Sequence, residues 1–327
     1  MNRASAFIAA TTITTLMTVA AAASKPQLHW LTRSPLPRAQ AGGAAALFEY
    51  NMIVAGGTAW EEGVKRWLTS TQIFDSRLNQ WRSGPELPQP LAYGPFAQSG
   101  SALEIFGGAT GATSASRTIW RIDSALAKWT KAGETPADHL LGRAARVGRR
   151  LFLFGGCADV ADLTQCSDVV WMREDGGAWR EAGRLPGGAV ALSAATVHNG
   201  RVYLFGGCAM PEAGKLFNRA DAWSFDPTSL RFQKLPDLPE ANRGLTAAVL
   251  EERILLFGGY TAAGFTADVW SFDPTTGKYS PEAPMPAAMT SAEFCLRGKT
   301  LYAAGGEDRM KHRSAATFAV SMEAEAQ

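Results

Sequence analysis

Tyr203-Leu204-Phe205-Gly206-Gly207 is an apolar run stopped by a glycine pair, and the same pattern stands at five other places in the chain. These are Ile53-Val54-Ala55-Gly56-Gly57, Glu104-Ile105-Phe106-Gly107-Gly108, Phe152-Leu153-Phe154-Gly155-Gly156, Leu255-Leu256-Phe257-Gly258-Gly259 and Tyr302-Ala303-Ala304-Gly305-Gly306. The second glycines are 51, 48, 51, 52 and 47 residues apart. Six copies at a period near 50 mark an architecture built by repetition. After each of the first five pairs an aromatic residue follows (Trp81, Trp129, Trp179, Phe232, Tyr279), and then a proline turn such as Leu87-Pro88 or Leu238-Pro239. A third apolar stretch lies between pair and aromatic, clearest in Ala222-Trp223-Ser224-Phe225-Asp226-Pro227 and Val269-Trp270-Ser271-Phe272-Asp273-Pro274.

Each repeat therefore reads as four short strands: an Ala-rich first, an apolar second ending in Gly-Gly, a third ending in Asp, and a fourth around the aromatic. The pattern resembles kelch repeats, one propeller blade each. The expectation is an all-β, six-bladed kelch β-propeller over residues 24–327. The sixth repeat lacks its own fourth strand, and Leu28-His29-Trp30-Leu31-Thr32 with Leu36-Pro37 supplies the missing pattern. The N-terminal strand should close the last blade and remove the exposed sheet edges.

Of the 327 residues, 32 are Lys or Arg and 30 are Asp or Glu, a net charge of only +2. Such a balance carries no electrostatic footprint for nucleic acid or an anionic membrane. Residues 1–23 hold Arg3, an uncharged run and a small-residue end at Ala20-Ala21-Ala22-Ala23. That is the layout of a cleaved signal peptide, so a periplasmic mature protein is expected. Cys157 and Cys166 flank a short loop and could close a local disulfide, with Cys208 and Cys295 free and buried. The four histidines are scattered, which argues against a zinc site.

In such a blade the tight 1-2 and 3-4 hairpins share one face, and the 2-3 loops and 4-1 crossings share the other. The second face carries Glu62, Lys65, Arg66, Arg219 and Glu307 with Arg313 on its loops, and Tyr93 and Arg243 on its crossings. Cations and carboxylates around one channel mouth suit a small anionic ligand.

Glu62-Gly63-Val64-Lys65-Arg66-Trp67, Leu91-Ala92-Tyr93-Gly94, Phe217-Asn218 and Gly306-Glu307 with Arg313 six residues on together resemble segments of bacterial N-acetylneuraminate epimerases, the sialic acid mutarotases. The blade order is that of a cyclic permutation, bringing the Glu307 and Glu62 loops together across the closure. The resemblance implies acid/base ring opening and reclosure of an acidic or related sugar, with Glu307 and Arg313 catalytic and no cofactor. Glu62, Lys65, Arg66, Tyr93, Arg219 and Arg243 are the candidates for binding it. Leu91 stands where those enzymes often carry Arg, which widens the expected substrate beyond sialic acid. The competing expectation is a non-catalytic propeller that binds a protein or glycan partner on the same face, with Trp60 and Trp67 as anchors.

Overall fold

The computed structural model describes residues 27–322. The leader over residues 1–23 lies outside the described residues. Among the described residues no helix is long and apolar enough to cross a membrane. Six four-stranded antiparallel sheets form the blades of a propeller, with three two-stranded hairpins attached to them. Blade one, for example, runs outward through Ala44–Phe48, Asn51–Ala55, Thr71–Asp75 and Gln80–Ser83. The first strand of each blade is innermost, and these strands pack side by side around the axis.

Blade six is completed as expected from the repeat. Its outer strand is His29–Thr32, pairing with Thr317–Ser321 in the register His29 to Ser321 and Thr32 to Phe318. The first and last strands of the described residues thus lie side by side in one sheet.

The glycine pair has a definite steric cause. Gly56 and Gly57 both adopt positive φ, at 68° and 88°, a region that a Cβ disfavours. A Cβ on Gly56 would also strike the carbonyl oxygen of Leu91 in the crossing to blade two. That same oxygen accepts the Gly57 N–H at 2.8 Å. The second glycine's N–H bonds to the corresponding crossing carbonyl at Val190, Asn242, Met289 and Gln40 in blades three to six. A side chain at the pair would therefore pry the blade from the crossing that leads to its neighbour.

The recurring fourth-strand aromatic also links blades. Trp81 donates from its indole to Ser34 of blade six at 2.7 Å, Trp129 to Pro85 of blade one at 3.1 Å, and Trp179 to Glu134 of blade two at 3.0 Å. Trp30 reaches Ala283 of blade five, and the Tyr279 hydroxyl reaches Pro236 of blade four. Each bond crosses to the end of the preceding blade's fourth strand or to the turn after it. Phe232, in blade four, has no such donor, and its ring packs instead against Phe225 of the same blade, tilted by 43° with centroids 4.7 Å apart. Between neighbouring blades the core is apolar, as where Ile53 and Ile73 of blade one meet Leu103, Ile105 and Ile122 of blade two. Burying each such side chain stabilises the fold by about 1.5–3 kcal/mol.

Candidate functional site at the channel mouth

At the loop-bearing face the entrance to the axis is built from backbone. Gly42, Tyr93, Leu141, Leu192, Gly244 and Ser291 hold equivalent places just before the inner strands, and all have φ between 53° and 69°. Each bonds to the next blade: Tyr93 N–H to Gly42, Leu141 to Tyr93, Leu192 to Leu141, Gly244 to Leu192 and Ser291 to Gly244, at 2.7–2.8 Å. One residue outward, a second repeated contact joins each crossing to the residue after the glycine pair: Ala41 with Thr58, Ala92 with Ala109, Leu140 with Cys157, Ala191 with Cys208, Arg243 with Tyr260, and Thr290 with Glu307. Inside this collar lies a cavity of about 170 Å³.

Arg313 enters the collar from the loop of blade six. It is 6% exposed, so its charge requires partners. Its Nε and Nη2 each donate to the Thr58 hydroxyl at 3.1 Å. Its Nη1 forms an ion pair with Glu307 Oε1 at 2.8 Å. The Tyr93 hydroxyl sits 3.1 Å from Thr58 Oγ1 and 3.4 Å from Arg313 Nη2. The Thr58 hydroxyl also donates to the Ala41 carbonyl at 3.4 Å, so it is engaged as donor and as acceptor.

Gly42 makes room for this arrangement. A Cβ there would run into the ring of Tyr93, which lies across it. Lys65 Nζ stands 4.8 Å from the Tyr93 ring centroid and 5.3 Å from that of Trp67, within cation–π range.

The structure brings Glu307, Arg313, Tyr93 and Lys65 into one cluster across the closure between blades six and one. Arg66 is displaced outward, 4.0 Å from Glu61, which also pairs with Arg38 at 2.5 Å. Glu62 is exposed at the tip of the hairpin formed by Thr58–Glu61 and Val64–Trp67. Arg243 is a collar residue of blade five; it bonds Asn218 Oδ1 at 2.5 Å and lies over the Tyr260 ring at 4.2 Å. Arg219 spends its guanidinium on the carbonyls of Gly187 and Ala189 and on Asp221, between blades three and four. Trp67 packs into the apolar cluster beside the mouth, and Lys311 stands 5.9 Å from the Trp60 ring.

The loop of blade three is closed by a Cys157–Cys166 disulfide, and Cys208 and Cys295 are buried outside any disulfide. Burial pushes the Cys208 thiol up to about 11. His312 Nδ1 contacts Asp308 at 2.6 Å beside the site. Among the described residues no three His, Cys, Asp or Glu side chains converge as a metal-binding group.

Thr58 was not among the residues singled out from sequence. The signal was available: it follows a glycine pair at the position occupied by Ala109, Cys157 and Cys208 in the next three repeats, and it alone of these four offers a hydroxyl.

The description KLHDC2/KLHL20/DRC7 Kelch-repeats domain belongs to a family model that matches residues 141–324, more than half of the chain. Kelch-like protein 36 of Mus musculus is 32% identical over 71 residues, a stretch that makes up 21% of this chain and 11% of that protein. With the glycine pairs, the six blades and this match in agreement, the chain belongs to the kelch-repeat family of that description.

Proposed function

We propose that the protein is a binding propeller whose recognition face is the one carrying the 2-3 loops and the 4-1 crossings, and that this face docks a protein partner. The observation that carries the reading is the placing of exposed apolar side chains. Val64 in blade one, Leu216 and Phe217 in blade four and Met310 in blade six all stand on these loops, Met310 at 70% exposure. Leu31, Leu78 and Leu296 are exposed elsewhere, but four of the seven exposed large apolar side chains among the described residues share this face, and apolar surface gathered on one face favours burial against a partner. Membership of a kelch family, whose domains commonly mediate protein interactions, supports the same reading. The test is chemical cross-linking in the native extract: Phe217→Asp and Met310→Asp should each lose cross-linked partner that wild type retains, while Leu78→Asp, on the opposite face, should retain it. Equal cross-linking by all forms would reject this face.

A second reading is favoured by the Glu307–Arg313 pair. In it the mouth holds a small acidic sugar of the N-acetylneuraminate kind and interconverts its anomers. Glu307 is accessible enough to take the proton of an anomeric hydroxyl and return one to the ring oxygen. Arg313, fixed by Thr58, would hold the substrate carboxylate. A positioned acid/base contributes about 10²–10⁴-fold. Anomer exchange followed by NMR should be accelerated by wild type and not by Glu307→Gln; no acceleration above background by wild type would reject catalysis.

The leader-like residues 1–23 support export, and we place the mature protein in the periplasm under either reading. Mass determination of the fractionated protein, with a start near Ser24 expected, tests this.

A further inference from the structure

Between blades three and four the loop-bearing face holds a groove of about 530 Å³. Leu163 and Cys166 of the blade-three loop line it on one side, and Met210, Pro211 and Phe217 of the blade-four loop on the other. The first side is held by the Cys157–Cys166 disulfide and by Asp162, which caps the short helical turn Leu163–Gln165 by accepting the Thr164 N–H at 3.0 Å. Phe217 is 51% exposed and Leu216 beside it 42%, so the apolar lining runs out onto an open lip. The polar side chains of the lining are already matched. Thr164 donates its hydroxyl proton to Asp162. Asn218 donates to the Tyr260 carbonyl and accepts from Arg243. Arg219 bonds the carbonyls of Gly187 and Ala189 and pairs with Asp221. What the groove offers a partner is therefore apolar surface, whose burial drives association.

The segments around the groove have negative charge to spare. Loops 157–168 and 208–221 and crossings 185–191 and 236–242 contain two cations, Lys215 and Arg219, and these pair with Glu212 and Asp221. Asp168 and Asp237 pair with Arg184 and Lys234 of the adjoining strands. Asp159, Asp162 and Glu240 are left without a cation among the described residues. Asp159 and Asp162 accept hydrogen bonds within their own loop, and Glu240 is exposed next to Ala241 of the lining.

We infer that this groove takes a basic amphipathic segment of a protein partner, with its apolar side chains seated between Leu163 and Phe217 and its Lys or Arg side chains at Asp159, Asp162 and Glu240. The inference rests on the reading that this face docks a protein partner, and adds where the partner sits and what chemistry it carries. Ligand pockets run to about 300–1,000 Å³, so the 530 Å³ here suits a pair of apolar side chains with the backbone between them. Unpaired carboxylates beside an apolar groove attract a basic segment and repel an acidic one.

The experiment titrates the full chain with three short end-capped fluorescent peptides, one of alternating leucine and lysine, one of leucine and glutamate and one of serine and lysine, and reads anisotropy at fixed ionic strength. The leucine–lysine peptide should bind at least about tenfold more tightly than either of the others, because it alone meets both the apolar lining and the carboxylates. The double variant Asp159→Asn, Asp162→Asn should weaken it about threefold or more. This variant should fold, because Asn caps a helical turn as well as Asp does. Phe217→Ser, a change at an exposed lip, should weaken the same peptide about fivefold or more, and Leu78→Ser on the opposite face should leave its affinity unchanged. Tighter or equal binding of the leucine–glutamate or serine–lysine peptide, no measurable binding of any of the three, or a leucine–lysine affinity that survives in both groove variants would overturn the inference. The docking reading itself fails separately, when the native partner cross-links equally to wild type, Phe217→Asp and Met310→Asp.

Discussion

Arg313 of blade six donates twice to the hydroxyl of Thr58 of blade one, 255 residues away in sequence, with both bonds at 3.1 Å. The pair straddles the place where the chain's two ends meet, so a residue of the candidate site also fastens the closure. Glu307 and Tyr93 touch the same guanidinium from either side. The candidate site and the closure thus share one buried cation.

Thr58→Val keeps the shape of the side chain and removes the acceptor. Hydrogen bonds to charged groups contribute about 1.5–3 kcal/mol, and the variant should lose about that much stability. Urea unfolding measures it, with an unchanged midpoint as the contrary result. The same variant frees the guanidinium to move, so any ligand affinity at the mouth should fall with it.

A chain lacking residues 24–37 loses the outer strand of blade six and the Trp30 bond to blade five. The edge of Thr317–Ser321 would be left without its partner strand. Its thermal unfolding should show no cooperative transition, and a cooperative one would contradict closure by the N-terminal strand.

Reducing the Cys157–Cys166 bridge should lower stability by about 2–4 kcal/mol, the usual effect of releasing a loop in the unfolded chain. The double variant Cys157→Ser, Cys166→Ser should match the reduced protein in a thermal scan, and the reductant should leave that variant unchanged. A reductant effect of equal size on both forms would place the cause elsewhere.

Burial holds the His139 imidazole below its ordinary value of 6.5, against the opposing pull of the Gly155 carbonyl and Asp138. The unfolded chain therefore binds a proton near pH 6.5 that the folded chain refuses until lower pH. The stability from this group is complete above about pH 6.5 and is lost as pH falls from there toward the folded value. Denaturant midpoints measured from pH 7.5 to 5 should fall for wild type, and less steeply for His139→Gln. Parallel curves would show that His139 does not contribute.

The blades were legible because each glycine pair answers a local steric demand that recurs at a fixed spacing, and the closing strand was legible because Trp30 and Leu36-Pro37 repeat that pattern out of place. The disulfide could be read from the short loop between its cysteines. The individual ligands of the mouth were legible only in part. Glu307, Arg313, Tyr93 and Lys65 converge, but nothing in the order of residues shows that Arg219 would turn to the carbonyls of Gly187 and Ala189, or that Arg66 would face Glu61. Those choices depend on which acceptor lies within reach after folding.

Recognition on the loop-bearing face around Arg313 is checked by hydrogen–deuterium exchange on the protein with its cross-linked partner. Residues 58–67, 209–219 and 307–313 should be protected, with the hairpins at 49–51, 198–201, 251–253 and 297–300 exchanging as in the free chain. Protection confined to those hairpins would contradict it.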